Sequence, residues 1–373
     1  MIFWSIVFAI GAGQALLLAL ALWRRPVNVQ ANRVLAAWVA TIGVDLAVKA
    51  VWFHGPTPEW LKTFRLVGLF PFFYGSLFYL YVRTLTQARA PRWRDLLHLS
   101  GFAIGLVANI GLFLQDAAQD RAFLDYLRRG GEWPGRPWLD LLLFGYSLSY
   151  VLAGLLQVRA YRRRLRQRRS DADRMSLHWI DAMAVSQIVI WCIAVMQWLT
   201  RIPWIDYPLI YGAVVAWVFV IGYLSLHQVA VAAEPVAAGD EAAPAEAPAA
   251  DDPRFPAVEA RLAQLMAREQ LYREPALTIG QLAKRSGYPE YLVSAVINRR
   301  FEGSFWDYIN RQRVEAARAC LADGGDARTI LDIAYACGYT SKSTFNAAFK
   351  RQLGQTPSAY RQQHAAASAG QGG

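Results

Sequence analysis

The fold of the C-terminal part of this chain is decided by residues 328–354, which read RTILDIAYACGYTSKSTFNAAFKRQLG. Apolar residues recur at helical spacing on both sides of Gly338, namely Ile330, Ile333 and Ala334 before it and Phe345 and Phe349 after it. A glycine between two short amphipathic segments is typical of the turn in a helix–turn–helix unit. The stretch therefore predicts two packed helices joined by a tight turn.

A second stretch with the same pattern lies upstream, at residues 277–300 (LTIGQLAKRSGYPEYLVSAVINRR). Thr278 is placed to cap its first helix, Gly287 to form the turn and Pro289 to open its second helix. Apolar residues again recur at helical spacing: Ile279, Leu282 and Ala283 in the first helix, then Leu292 or Val293, Val296 and Ile297 in the second. The chain is thus predicted to carry one unit twice.

The two units are joined by residues 304–323, SFWDYINRQRVEAARACLAD, which predict one helix. A helix of about 19 residues is about 28 Å long, and one turn of B-DNA is about 34 Å. Two recognition helices at that separation can enter successive major grooves on one face of a duplex. Residues 254–373 also carry a formal net charge of +6, which suits a polyanionic partner.

These motifs resemble the DNA-binding domain of the AraC/XylS family of bacterial transcription regulators. The resemblance covers residues 277–361, with LAKRSGYPEYLVSAVINRRFEGSFWDYINRQRVEAA (282–317) in the first half and IAYACGYTSKSTFNAAFKRQLGQTPSAYR (333–361) in the second. It implies a soluble all-α domain of seven helices that binds double-stranded promoter DNA in a sequence-specific way. The segments VIN (296–298) and FWDYIN (305–310) resemble the membrane-tethered subset of that family.

The polar face of the second recognition helix predicts its DNA contacts. Thr340 or Ser341 is predicted to cap the helix and to donate to a phosphate, and Lys350 and Arg351 are predicted to contact the DNA backbone. The side chains opposite the two phenylalanines are predicted to reach base edges: Lys342, Ser343 and Asn346. An ordinary solvated helix face is the alternative interpretation of these residues.

By alignment of the two units, Tyr291 and Ser294 take the base-facing positions in the first recognition helix. Ala295 stands where many family members carry a longer polar side chain, so this helix is expected to read fewer bases. Three further arginines are predicted to be phosphate contacts or surface charges: Arg299, Arg300 and Arg313.

The first 228 residues are apolar and predict a seven-helix transmembrane bundle. Segments of about 20 apolar residues can span a bilayer, and such segments lie near residues 2–23, 33–53, 64–83, 95–114, 138–158, 178–199 and 206–228. Tryptophans lie near many of their ends, as in an aromatic belt. A cleaved signal peptide is not favoured for the first segment, because no small-residue cleavage site precedes residues 24–30.

The charges of the connecting loops predict the orientation of this bundle. Alternate connections hold fifteen Lys and Arg residues, eight of them between Arg159 and Arg174, and the opposite connections hold seven. The positive-inside rule therefore places the N-terminus outside and the C-terminal domain in the cytoplasm, at a bacterial inner membrane. The arginine-rich run is expected to lie against anionic lipid, with a nucleic-acid patch as the alternative.

Asp45 and Lys49 lie four residues apart in the second predicted span, and therefore on one helix face. Ionisable residues inside a membrane are costly, so the pair is a candidate ligand-sensing site, open to the periplasm. A purely structural, self-neutralising pair is the alternative. No catalytic, metal or cofactor site is predicted, because the five histidines and three cysteines lack metal-ligand spacing.

Two segments are predicted to be disordered. Residues 229–254 form a linker rich in alanine, proline and acid, in which residues 229–253 hold six acids and no base. Residues 364–373 form a short tail, so the DNA-binding domain is bounded at residues 255–363.

The sequence as a whole predicts a membrane-bound one-component regulator and not an enzyme. Its expected partners are promoter DNA, the lipid bilayer and an unidentified small-molecule or envelope signal, and a homodimer is compatible with this interpretation. The alternative from another class is a membrane transporter or enzyme with a fused DNA-binding autoregulatory domain. That alternative requires paired carboxylates, histidine ligands or glycine-broken spans at mid-membrane, and the sequence shows no such constellation.

Overall fold

The computed structural model describes residues 2–87, 89–172, 177–200, 207–226, 252–323 and 325–370. The regular secondary structure of these residues is helical, with no β-strand among them. The chain divides into two compact units, Met1–Arg159 with Leu177–Ala237, and Ala160–Ser176 with Ala238–Gly373. The all-α prediction is therefore confirmed for the described part of the chain.

The first unit is built from helices that follow one another along the chain. They are α1 (Ile2–Arg24), α2 (Val29–His54), α3 (Pro58–Val67), α4 (Pro71–Gln87), a 3₁₀ helix (Trp93–Leu99), α5 (Ser100–Ala108), α6 (Ile110–Phe113), α7 (Ala117–Arg128), α8 (Pro137–Arg168), α9 (His178–Thr200) and α10 (Tyr207–Leu226). The last turns of α8, from Ala160 onward, belong to the second unit.

Five helical segments among the described residues are long and apolar enough to cross a membrane, where the sequence predicted seven. They are Ile2–Arg24, Val29–His54, Pro58–Gln87, Pro137–Arg168 and Trp179–Thr200. The seventh predicted span is represented by a shorter apolar helix, Pro208–Leu224. The prediction of a helical apolar unit is confirmed, but a count of seven long spans is not what the structure shows.

The fourth predicted span, 95–114, is helical but broken into three pieces. It starts as the 3₁₀ helix, continues as α5 and resumes as α6 after Asn109. The Asn109 side chain donates to the carbonyl oxygen of Gly105 at 2.8 Å, a local bond that competes with regular helix formation. Hydropathy reports the apolar character of such a segment but not these interruptions.

The interior of the first unit depends on close helix approaches. At Gly75 in α4, an added Cβ would lie 2.6 Å from the backbone oxygen of Ser147 in α8, so only glycine permits this contact. Large side chains such as Trp38, Phe78 and Tyr81 are buried. The outer face of α1 is apolar as well, because Ile2, Ile6, Ile10 and Leu17 are each more than half exposed.

The second unit contains seven α-helices in its described residues from Phe255 onward, as the resemblance implied. They are α11 (Phe255–Ala267), α12 (Ile279–Ser286), α13 (Glu290–Arg300), α14 (Phe305–Ala322), α15 (Ile330–Ala336), α16 (Lys342–Leu353) and α17 (Pro357–Gly370). The pairs α12–α13 and α15–α16 are the two predicted helix–turn–helix units. A 3₁₀ turn, Leu271–Arg273, follows α11.

Two hydrophobic cores lie in this unit, and α14 contributes to both. Phe305, Tyr308 and Ile309 near its start pack in the core of the first helix–turn–helix unit. Val314, Ala317 and Leu321 near its end pack in the core of the second. The bridging helix is therefore part of both hydrophobic cores, in addition to setting the distance between the two helix–turn–helix units.

A segment that the sequence did not connect with this domain packs against it. Ser170, just after α8, donates its backbone N–H to Leu277 O at 3.0 Å and accepts a bond from Arg313 at its hydroxyl. Asn310 in α14 approaches the Ser170 carbonyl at 3.5 Å. The described end of the arginine-rich run forms part of the second unit, and its predicted position against lipid stays a prediction.

The two turn glycines give a test of this fold. Both adopt positive φ, Gly287 at 79° and Gly338 at 87°. Around Gly287 an added Cβ meets nothing within 4 Å, so Gly287→Ala should cost only the left-handed backbone strain, about 1 kcal/mol. At Gly338 it would lie 2.6 Å from the backbone oxygen of Tyr272, so Gly338→Ala should cost about 1–3 kcal/mol more. Urea unfolding of a fragment starting at Asp251 measures the free energy of unfolding of each variant. Equal losses of this free energy in the two variants would contradict the close packing at Gly338.

Candidate nucleic-acid interface

The second recognition helix, α16, begins at a serine cap. Thr344 donates its backbone N–H to the Ser341 hydroxyl at 3.2 Å, which identifies Ser341 and not Thr340 as the N-cap. The same hydroxyl contacts Thr344 Oγ1 at 2.8 Å and Ser343 Oγ at 3.2 Å. Ser341 is thus used to fix the helix start, where backbone N–H groups point outward and favour a phosphate.

The face of α16 that is predicted to meet DNA is accessible. Phe345, Ala348 and Phe349 are buried in the second core. The predicted contact residues on the rest of the helix are exposed or half-buried: Lys342, Ser343, Asn346, Lys350 and Arg351. Ser343, Asn346 and Lys350 follow one another at i, i+3 and i+7, so they form one stripe along the helix.

The first recognition helix, α13, presents an equivalent stripe. Tyr291 is 39% exposed, Ser294 is half-buried and Asn298 is exposed, again at i, i+3 and i+7. Asn298 donates to the Ser294 hydroxyl at 3.4 Å. Counted from the caps Pro289 and Ser341, these three residues match the three on α16. Asn298 was missed by the sequence analysis, although the i+7 spacing in the repeated pattern was available to find it.

The two recognition helices differ in charge at their first residue. This residue is Glu290 in α13 but Lys342 in α16, so the start of α13 repels phosphate where the start of α16 attracts it. Ala295 is half-buried against the first core, and the equivalent position of α16, counted from its cap, is also an alanine, Ala347. The start of α16 is therefore better suited to a phosphate than the start of α13.

Two of the predicted backbone-contacting arginines are braced by aromatic rings. The Arg351 guanidinium lies 4.2 Å from the ring of Trp306 at the start of α14, a cation–π contact. Arg299 at the end of α13 lies 5.6 Å from the ring of Phe255. Such bracing limits the conformations of long side chains and holds their charge at the end of each recognition helix.

Arg313 does not have the predicted surface role. It is 2% exposed, and it donates to the carbonyl oxygens of Tyr272 at 2.7 Å and Glu274 at 2.8 Å. Burial lowers the pKa of its guanidinium to about 10, and the group remains charged at neutral pH. Arg313 therefore links the bridging helix to the segment before α12 and cannot contact a phosphate.

The proposed sensing pair in the first unit is buried and self-paired. Asp45 and Lys49 are each 0% exposed and form an ion pair one helical turn apart. The Tyr74 hydroxyl donates to Asp45 at 2.8 Å, and the Lys49 ammonium lies 3.9 Å from the centre of the Tyr211 ring. This geometry gives the pair no direct opening to solvent, which favours the structural alternative; a sensing role for the pair stays a prediction.

Comparison with known proteins places the second unit among DNA-binding transcription regulators. A model of a helix-turn-helix domain matches residues 282–363, from within α12 to the middle of α17. The chain belongs, through this C-terminal domain, to the AraC family of transcription regulators. No solved structure matches the chain.

Three relatives illustrate the similarity. The regulatory protein SoxS of Escherichia coli K12 is 36% identical over 85 residues, 23% of this chain and 78% of SoxS. The probable transcription factor PqrA of Proteus vulgaris is 30% identical over 94 residues, 25% of this chain and 75% of PqrA. A putative AraC-like transcription regulator of Streptomyces lividans is 33% identical over 93 residues, 24% of this chain and 30% of that protein. Each match covers at most a quarter of the chain.

Substitutions on α16 separate base contacts from backbone contacts. In the fragment starting at Asp251, Asn346→Ala and Lys342→Ala should each weaken binding by about 1–3 kcal/mol and relax sequence preference at one base pair. Arg351→Ala should weaken binding to all sequences alike and make the salt dependence shallower. Fluorescence anisotropy with a selected DNA site and its single-base variants measures both effects.

Ser358→Ala is the matched control for these variants, because Ser358 is exposed on α17 and outside both stripes. Its affinity and sequence preference should equal those of the unchanged fragment. Uniform loss of affinity across all sequences in the Asn346 and Lys342 variants would show that neither side chain contacts the bases.

Proposed function

We propose that this chain is a membrane-bound, sequence-specific transcription regulator that senses a signal through its N-terminal apolar unit. The observation that carries the proposal is the presence, in one chain, of a tandem helix–turn–helix domain with two exposed polar stripes and a unit of long apolar helices. The relatives support a regulator rather than an enzyme. The membrane and sensing parts rest on the first unit alone.

The surface of the first unit supports its placement in a bilayer. Exposed large apolar residues occur on most of its helices, including Leu17 at 68%, Val107 at 71% and Leu199 at 67%. A water-soluble domain rarely exposes so much contiguous apolar surface, whereas hydrocarbon requires it. Together with the fifteen-to-seven distribution of loop charges, this supports a multi-pass inner-membrane protein whose DNA-binding domain is in the cytoplasm.

The orientation can be tested with reporter fusions after Gln228. A green fluorescent protein fused there should fluoresce and an alkaline phosphatase fused there should be inactive, because both reporters should remain in the cytoplasm. A phosphatase fusion within residues 115–137, on the opposite side, is the positive control. An active phosphatase after Gln228 would contradict both the orientation and the access to DNA.

Function in the cell can be tested by chromatin immunoprecipitation of the full chain followed by sequencing. The protein should occupy discrete promoters, and the positions bound should share two half-sites about one DNA turn apart. Asn346→Ala should lower this occupancy and relax the shared sequence at one base pair while membrane localisation and protein level stay unchanged, and Ser358→Ala should leave the occupancy intact. An unchanged occupancy and shared sequence in the Asn346→Ala chain would contradict the assigned base contact.

A further inference from the structure

A large cavity lies within the first unit. Its volume is about 740 Å³, within the range typical of small-molecule sites. Its walls come from α2, α3, α4, α8, α9 and α10, together with the segments around Asn109 and Trp133. The cavity is partly open rather than enclosed, so a small molecule can enter it from outside the unit.

The walls of the cavity are dominated by aromatic rings rather than by aliphatic side chains. At one end Trp52 and Phe64 are stacked at 4.3 Å, and the Trp133 ring meets each of them edge-on. At the other end Trp38 and Trp217 lie 4.9 Å apart. Flat ring faces on several sides favour a ligand that can itself stack on them. Aromatic pairs contribute more binding free energy than the burial of their apolar surface alone.

The charged side chains of the cavity wall largely neutralise one another. Arg65 is paired with Asp120 at 3.0 Å, and the partly exposed Lys62 lies 3.8 Å from the same carboxylate. Arg136 and Asp140, the other two charged residues in the wall, have opposite signs. A ligand of net charge would thus enter an apolar space without a counter-ion, which is unfavourable.

Polar atoms without partners lie among these rings. Within the described part of the chain, Gln187 Oε1, Gln197 Oε1 and Trp38 Nε1 are buried and make no hydrogen bond. All three residues line the cavity. A buried group without a partner costs about 1–3 kcal/mol, so an occupant with both donor and acceptor groups would stabilise the unit more than a hydrocarbon would.

We propose that this cavity binds an uncharged, planar aromatic small molecule carrying a hydrogen-bonding group. The inference deepens the proposed sensing function and rests on it for its biological meaning, since the cavity then holds the signal. Two of its walls, Tyr74 and Tyr211, also contact the buried Asp45–Lys49 pair. A ligand against these rings therefore acts on that pair indirectly, without touching either charge.

The binding test uses the full chain in lipid nanodiscs and the uncharged aromatic probe N-phenyl-1-naphthylamine. Energy transfer from the cavity tryptophans to the probe should saturate as probe is added. Two competitors of equal heavy-atom count then separate the ligand classes: 2-naphthol, which is planar and aromatic, and 1-decanol, which is an extended chain with the same hydroxyl group. At equal membrane concentrations 2-naphthol should displace the probe at least about tenfold more effectively.

Two alanines of α9 provide matched variants. Ala194 lines the cavity, so Ala194→Phe should fill it and weaken saturable probe binding by about tenfold or more. Ala182 is exposed and outside the cavity wall, so Ala182→Phe adds the same group without effect on binding. Gln187→Met keeps the length of the side chain and removes the amide group, and it should weaken 2-naphthol binding while sparing a purely apolar probe such as naphthalene.

The outcomes are distinct from those of the DNA experiments. Preferential displacement by 1-decanol would overturn the proposal in favour of a lipid acyl chain, and equal binding by the Ala194 and Ala182 variants would show that the probe lies elsewhere. Both variants should keep the helical circular dichroism and the thermal unfolding of the unchanged chain in nanodiscs, which confirms that the first unit is folded. A chain that binds the probe in the cavity but binds no promoter DNA keeps the cavity inference and loses the proposed function.

Discussion

The DNA-binding domain depends on one shared helix, α14. Ser304 and Asp307 fix its start through a reciprocal capping interaction, and its apolar face then enters the core of each helix–turn–helix unit in turn. An α-helix of 18 residues is a rigid rod about 27 Å long. Because both cores use the same rod, neither recognition helix can change its position without disturbing the packing around α14. The spacing and the relative rotation of the two stripes are therefore properties of a single element.

This arrangement makes the two recognition helices similar in geometry but unequal in chemistry. Their buried faces occupy matching positions, so α13 and α16 present matching stripes. However, Glu290 occupies the position at which α16 has Lys342, so the two helices start with opposite charges. Arg299 and Arg300 with Glu290 give α13 a formal charge of +1, and Lys342, Lys350 and Arg351 give α16 a formal charge of +3. Lys284 and Arg285 in α12 offset this difference between the two helix–turn–helix units.

The first unit inverts the usual distribution of polar and apolar groups. Its outer faces are apolar, while its interior holds the Asp45–Lys49 pair, the Arg65–Asp120 pair and several unpaired polar atoms around an aromatic cavity. In a bilayer such groups can only be satisfied internally or by a bound molecule. Asp45 and Lys49 neutralise each other, which explains why two costly charges are tolerated in α2. The buried pair leaves no room for a ligand, whereas the cavity beside it has the space for one.

The sequence alone determined the helical class, the duplicated motif, its turn glycines and the polar face of α16, because these depend on local periodicity and on backbone conformations that few residues adopt. It also indicated an apolar first unit, but it could not show that Asn109 interrupts one segment, since hydropathy does not register a competing side-chain bond. Only tertiary structure decided that Arg313 is buried, that Ser170 lies against α14, and that aromatic residues from seven helices surround one cavity. Each of these depends on residues far apart in the chain, and no local pattern encodes which distant segment will cover a given side chain.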